Sequence, residues 1–174
     1  MHPVDEHRKA APKTLSVVVI TVSTSRYEKL MKGEEPEDVS GAEIRSMLEA
    51  KGHKVPYYRL IPDDKTMVRL EVLNAIKDGS VDAVILTGGT GFTESDVTVE
   101  ALSPLFDREI EGFGELFRML SYREVGSASM LSRATAGIIS KKPVFCLPGS
   151  PDAVRLAMNL ILDELPHLKL MLSK

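Results

Sequence analysis

The chain predicts an α/β domain in three layers, a mostly parallel sheet between helices, with one antiparallel strand pair. Three observations carry this prediction. Short β-branched runs alternate with segments of helical periodicity through most of the 174 residues. The runs are continuously apolar rather than alternating, as in strands buried on both faces. Polar and glycine-rich segments follow the strands, where open parallel sheets bind their ligands.

Leu15 to Val22 (LSVVVITV) is the first such run. Ser23-Thr-Ser-Arg26 follows it, and the charged stretch Tyr27 to Asp38, with Gly33 and Pro36, reads as a long surface loop. From Ser40-Gly41 the spacing of Ala42, Ile44, Met47 and Leu48 predicts an amphipathic helix closed by Gly52. Lys54 to Ile61 is a second strand, ending in Pro62-Asp63-Asp64. Thr66 to Asp78 is a second helix, with Val68, Leu70, Val72, Leu73 and Ile76 as its apolar positions and Gly79 as its stop.

Ala83 to Leu86 is the third strand and runs into Thr87-Gly-Gly-Thr-Gly91. Thr98 to Phe106 and Phe113 to Leu120 read as helical. Ala134 to Ile139 and Val144 to Leu147 form a strand pair around Ser140-Lys-Lys-Pro143. Pro148-Gly-Ser-Pro151 leads into a last helix, Asp152 to Leu165, with Ser150 as its cap and Pro151 as its first residue. Residues 1–12 are polar and read as a flexible arm, leaving residues 13–174 as a single domain.

Composition narrows the function. The formal charge of -3 gives no support for nucleic-acid binding. An anionic ligand would have to be held by local groups. One cysteine excludes an internal disulfide framework and fits a reducing cytoplasm. No apolar run is long enough to span a bilayer. His2, His7, His53 and His167 have no metal-ligand spacing and read as surface residues, and Cys146 reads as an inert core residue.

The Thr87 to Gly91 loop carries the chemistry. Glycines allow backbone N–H groups to converge on an anion. The loop is neither a Walker-type phosphate loop nor a dinucleotide fingerprint, because the residues each requires are absent. Asp96, just beyond it, suits a metal ion bridging carboxylate and phosphate, although an aspartate before a helix is equally a cap. Asp63 and Asp64 offer a second carboxylate at another strand end. Ser150 lacks the nucleophile elbow of the hydrolases. Arg26, Arg123 and Arg133 are candidate counter-charges. Glu111 and Glu115, set among Phe113, Leu116, Phe117 and Leu120, are minor site candidates beside a packing stripe.

Together, Thr87-Gly-Gly-Thr-Gly91 with Asp96, Glu111-Gly-Phe-Gly-Glu-Leu-Phe-Arg-Met-Leu-Ser121, Met130-Leu-Ser-Arg-Ala134 and Pro148-Gly-Ser-Pro151 resemble the molybdenum cofactor biosynthesis protein MoaB/Mog family. Asp38-x-Ser40-Gly41 and Ile61-Pro62-Asp63 fit its pattern too. The resemblance implies the molybdopterin-binding (MogA-like) fold and a cytoplasmic nucleotidyltransferase. That enzyme adenylylates molybdopterin with Mg-ATP, releasing pyrophosphate before molybdate insertion, and assembles as a trimer or hexamer. It places Asp63 and Asp96 as the catalytic carboxylates, and Asp96 with Asp63 or Asp64 is expected to position Mg²⁺ on the ATP phosphates. It assigns Thr87, Gly88, Gly89, Thr90, Gly91, Ser23, Pro148, Gly149 and Ser150 to the nucleotide and substrate pocket. The sequence departs from the adenylyltransferase pattern where Glu94-Ser95, rather than an arginine, precede Asp96. The alternative function is therefore a non-catalytic molybdopterin-binding scaffold or carrier.

Overall fold

A computed structural model describes residues 11–174. The arm expected over residues 1–12 lies almost wholly outside the described residues. Six strands form one mixed sheet in the order β2-β1-β3-β6-β5-β4. They are β1 (Val17–Val22), β2 (Tyr58–Ile61), β3 (Ala83–Thr87), β4 (Arg108–Glu109), β5 (Thr135–Ile139) and β6 (Lys142–Leu147). Strands β2, β1, β3 and β6 run parallel, whereas β5 is antiparallel to both β6 and β4. Among the described residues six α-helices accompany them: α1 (Thr24–Met31), α2 (Val39–Ala50), α3 (Lys65–Lys77), α4 (Thr98–Leu102), α5 (Glu111–Val125) and α6 (Pro151–Leu172).

Strand β1 shows why there are three layers. All six of its residues are buried. Val17 and Val19 pack with Ile44 and Leu48 of α2 and with Val154, Ala157 and Met158 of α6. Val18, Ile20 and Val22 face the opposite way, against Val68 and Val72 of α3. Period-two side-chain alternation thus supplies two cores from one apolar run. Each fully buried Val or Ile contributes roughly 1.5–3 kcal/mol by leaving water.

The segment expected as loop from Tyr27 to Asp38 is partly helical. Helix α1 buries no side chain, so it leaves no apolar stripe for periodicity to detect. It is held by its ends instead: Ser23 caps it by accepting from the Arg26 N–H, and the Arg26 guanidinium donates to the Glu37 carbonyl at 2.9 Å. Strand β2 begins later than expected. Pro56 offers no ladder donor, and only a single bridge, Ser16 to Lys54, precedes it.

The β5–β6 hairpin turns through Ser140 and Lys141, both with positive φ (48° and 63°). This is the two-residue turn that suits strand twist, made without the usual glycine or asparagine. Helix α6 continues through Pro166 to Leu172, because buried Leu162 and Leu165 keep its face on the core across the missing hydrogen bond. His53 corrects the surface reading. It is 6% exposed, and its Nδ1 accepts the Leu15 N–H at 3.2 Å. Burial, then Lys51, holds its pKa below the usual histidine value. Cys146 is fully buried, and burial pushes its thiol up to about 12.

Candidate functional site

The chain leaves β1 toward β2 on one side and β3 toward β6 on the other, so the sheet has its switch point between the ends of β1 and β3. The glycine loop leaves β3 there. Gly88 has φ +96°, and a Cβ on it would stand 2.3 Å from the Val22 carbonyl oxygen. Only a glycine can pass so close to the neighbouring strand in that conformation. A Cβ on Gly89 would meet Thr98 Oγ1 at 2.4 Å and Asp63 Oδ1 at 3.1 Å.

The carbonyls of the loop are all occupied. Thr98 Oγ1 donates to the Gly88 carbonyl at 2.8 Å, and the Thr98 N–H to that of Gly89 at 2.9 Å. Arg133 Nε donates to the Thr90 carbonyl at 3.1 Å, and its terminal nitrogen donates to that of Gly91. In a trans peptide the N–H points away from the carbonyl of the same unit. The N–H groups of Gly89 through Phe92 are therefore turned from the donors that grip their partners. Among the described residues, no acceptor takes the N–H of Gly89 or Thr90. The loop therefore presents unpaired N–H groups, the arrangement an anion cradle requires.

Asp96 flanks the cradle and is not a helix cap; α4 begins after Val97 with no side-chain cap. The Asp96 carboxylate accepts from the Thr93 N–H at 2.9 Å and from the Thr93 hydroxyl at 2.5 Å. The Thr93 hydroxyl, with smaller help from the Thr93 and Gly91 N–H groups and Arg133, holds its pKa below the usual carboxylate range. Asp96 is therefore ionised at neutral pH. Thr98, the other expected cap, spends its hydroxyl on the loop instead.

A cleft of about 600 Å³ is lined by Gly88 to Gly91, Asp96 and Pro148 to Ser150, with its far wall from α5 and the 3₁₀ turn Gly126–Leu131. Two ties hold its Pro148–Gly149 rim in place. Thr87, buried beneath the loop, donates its hydroxyl to the Pro148 carbonyl at 2.8 Å, and Ser40 donates to the Gly149 carbonyl at 2.8 Å. Ser150 caps α6, accepting from the Ala153 N–H at 3.4 Å.

The remaining expected site residues stand outside this cleft. Ser23 caps α1 at the end of β1. Asp63 Oδ2 accepts from the Thr24 N–H at 2.7 Å and from its hydroxyl at 2.8 Å, while Oδ1 faces Gly89. Asp64 is the cap of α3. Glu111 and Glu115 border a separate, smaller hollow with Arg118. Sequence reasoning missed Glu100, whose carboxylate pairs with Arg133. Its only signal is an acid one helical turn past Asp96.

Arg133 is the one basic side chain lining the cleft among the described residues, set against Asp96, Glu124 and Asp152. A polyanion would enter such a site with a cation of its own. No group of three or more histidine, cysteine or acidic side chains gathers among the described residues. This donor set fits Mg²⁺, which takes one or two carboxylates and completes its shell with water and phosphate oxygens.

Fold and site together define an α/β domain with a ligand-sized cleft beyond the carboxyl ends of its parallel strands. A family profile described as "Probable molybdopterin binding domain" matches residues 18–167, and the chain belongs to this family. It is 49% identical over 167 residues to the molybdenum cofactor biosynthesis protein B of Bacillus cereus, covering 95% of each chain. It is 48% identical over 169 residues to the molybdopterin adenylyltransferase of Pyrococcus furiosus, again covering 95% of each. The crystal structure of the tungsten cofactor synthesizing protein MoaB from Pyrococcus furiosus superposes with a TM-score of 0.79 at 46% identity, over 90% of this chain and 96% of that one. No helix among the described residues is long and apolar enough to cross a membrane.

Proposed function

We propose that this protein adenylylates molybdopterin with Mg-ATP and releases pyrophosphate, in preparation for metal insertion. The observation that carries the reading is the glycine loop, with its carbonyls occupied and the Gly89 and Thr90 N–H groups open beside an ionised Asp96. The relative from Pyrococcus furiosus named molybdopterin adenylyltransferase supplies the substrate class.

In this reaction a terminal phosphate oxygen of molybdopterin bonds to the α-phosphorus of ATP. The bond from that phosphorus to the bridging oxygen breaks, and the electron pair leaves with pyrophosphate. The attacking phosphate is already ionised, so no general base is needed, and no histidine among the described residues lines the cleft. The loop N–H groups hold the nucleotide phosphates, and the Thr87 and Ser40 ties fix the Pro148–Gly149 rim. Asp96, beside the loop, would hold Mg²⁺, while Asp63 stands at the adjoining strand end with its Oδ1 toward Gly89. That ion offsets the repulsion between the two polyanions.

The protein acts as a homo-oligomer, trimer or hexamer. Leu116, Met119, Tyr122, Val125, Met130 and Leu131 are all exposed along α5 and the turn after it, and an apolar face of this kind marks an association surface. One observation favours the alternative scaffold reading: among the described residues, the one cation lining the cleft is already paired with Glu100. Pyrophosphate release from ATP on adding molybdopterin decides between them. Turnover that needs both substrates is expected; tight molybdopterin binding without pyrophosphate establishes the scaffold.

A further inference from the structure

Arg133 is the cation best placed to meet an anionic ligand directly, yet its bonds describe a different task. Its guanidinium grips two successive loop carbonyls, Thr90 and Gly91, and on its other side the carboxylate of Glu100. One of its distances to Glu100 is 3.3 Å. Its flat face lies over the Phe92 ring, 5.1 Å from the centroid. Glu100 is held ionised by this contact before any other. Four of its five N–H groups donate to the loop or to Glu100 of α4.

The Thr90 carbonyl shares its peptide with the Gly91 N–H, which points away from Arg133 and toward the Asp96 carboxylate. The Gly91 carbonyl likewise fixes the Phe92 N–H. Glu100 stands on α4, whose first residue, Thr98, grips the other two loop carbonyls. One short helix thus controls four consecutive loop peptides, two through Thr98 and two through the Glu100–Arg133 pair.

We infer that Glu100 and Arg133 are positioning residues: Glu100 orients Arg133, and Arg133 orients the 90–92 peptides against Asp96, without either residue being the ligand's counter-charge. The identity of the ligand rests on the function proposed above; the ordering of the loop does not. The two roles for Arg133 predict opposite signs for Glu100→Gln. If Arg133 were a direct anion ligand, removing a nearby negative charge would free it and tighten binding, and Arg133→Lys would preserve much of the affinity. If it orients the loop, Glu100→Gln weakens binding, and Arg133→Lys, a point charge that cannot span two carbonyls and a carboxylate, fails to rescue Arg133→Gln.

The test has two arms on the full chain. Amide hydrogen exchange of the unliganded protein is followed residue by residue in wild type, Arg133→Gln and Glu100→Gln. The Gly91 amide is expected to lose about tenfold of its protection in both variants while amides of β1 and β3 stay as in wild type. Unchanged protection at Gly91 overturns the inference. Calorimetric titration with Mg-ATP should show Glu100→Gln weakening affinity about tenfold and Arg133→Lys doing no better than Arg133→Gln. Tighter binding by Glu100→Gln overturns the inference. A wild-type chain that does not bind Mg-ATP sinks the proposed function, and the exchange arm then decides the inference alone.

Discussion

Of the two largest clefts among the described residues, the larger is the poorer candidate for the site. The larger, about 880 Å³, lies beside β2 and α2. Three of its polar side chains, Arg45, Tyr58 and Asp38, are already engaged. Arg45 donates to the Gly41 carbonyl at 3.2 Å and lies 4.5 Å above the Tyr58 ring. The Tyr58 hydroxyl donates to Asp38, which also accepts from the Thr21 hydroxyl at 2.6 Å and the Gly41 N–H at 3.1 Å. In the smaller cleft the carbonyls are satisfied and N–H groups remain open. Hydrogen-bonding capacity left open, rather than volume, distinguishes a surface built to hold itself from one built to hold a ligand.

The contrast breaks most severely at Gly88. An alanine there faces both the positive φ and the Val22 carbonyl at 2.3 Å. Gly88→Ala should lower stability by about 3 kcal/mol and abolish phosphate binding, as read from urea unfolding and Mg-ATP calorimetry. Asp96→Asn keeps an acceptor for Thr93 and removes the charge. It should reduce adenylyl transfer about 100-fold and change stability by less than about 1 kcal/mol. Full activity in a pyrophosphate assay would remove Asp96 from the mechanism.

Tyr58→Phe probes the other cleft. Burial, then the bond to Asp38, pushes the Tyr58 hydroxyl up to about 12, so it remains a donor at physiological pH. Removing it should lower stability by about 1–2 kcal/mol with Mg-ATP affinity unchanged. A loss of affinity would show that the two clefts are coupled.

How much of this was legible in the sequence follows from where each signal is stored. Buried strands declare themselves as apolar runs, so β1 and β3 and the loop between β3 and α4 could be read directly, as could Ser150 as a cap before Pro151. Helix α1 could not, because it buries nothing, and neither could β4, two exposed polar residues paired only with β5. The site was readable in its types and only partly in its grouping. Asp96 meets the loop and Pro148 to Ser150 in one cleft, whereas Ser23 and Asp63 are fixed at the adjoining strand end. Which carbonyl a distant arginine holds depends on packing, so the bonds of Arg133 to Thr90 and Gly91, more than 40 residues away in sequence, left no local pattern.

The smallest effect expected lies away from both clefts, at His53. Its folded pKa is depressed below 6.5, so at lower pH the unfolded chain binds a proton that the folded chain resists. Stability should therefore fall as pH drops below about 6.5. His53→Gln, which keeps an acceptor for the Leu15 N–H, should flatten that part of the profile. Urea midpoints compared across this range provide the check, with a pH slope unchanged by the substitution as the opposing result.

The central claim, that the open amides of the glycine loop receive the nucleotide, is tested most directly by a crystal structure with Mg-ATP. The account predicts phosphate oxygens within hydrogen-bonding reach of the Gly89 and Thr90 N–H groups, with the metal beside Asp96. Nucleotide seated in the larger cleft beside Arg45 and Tyr58, with the Thr87 to Gly91 loop making no phosphate contact, would contradict it.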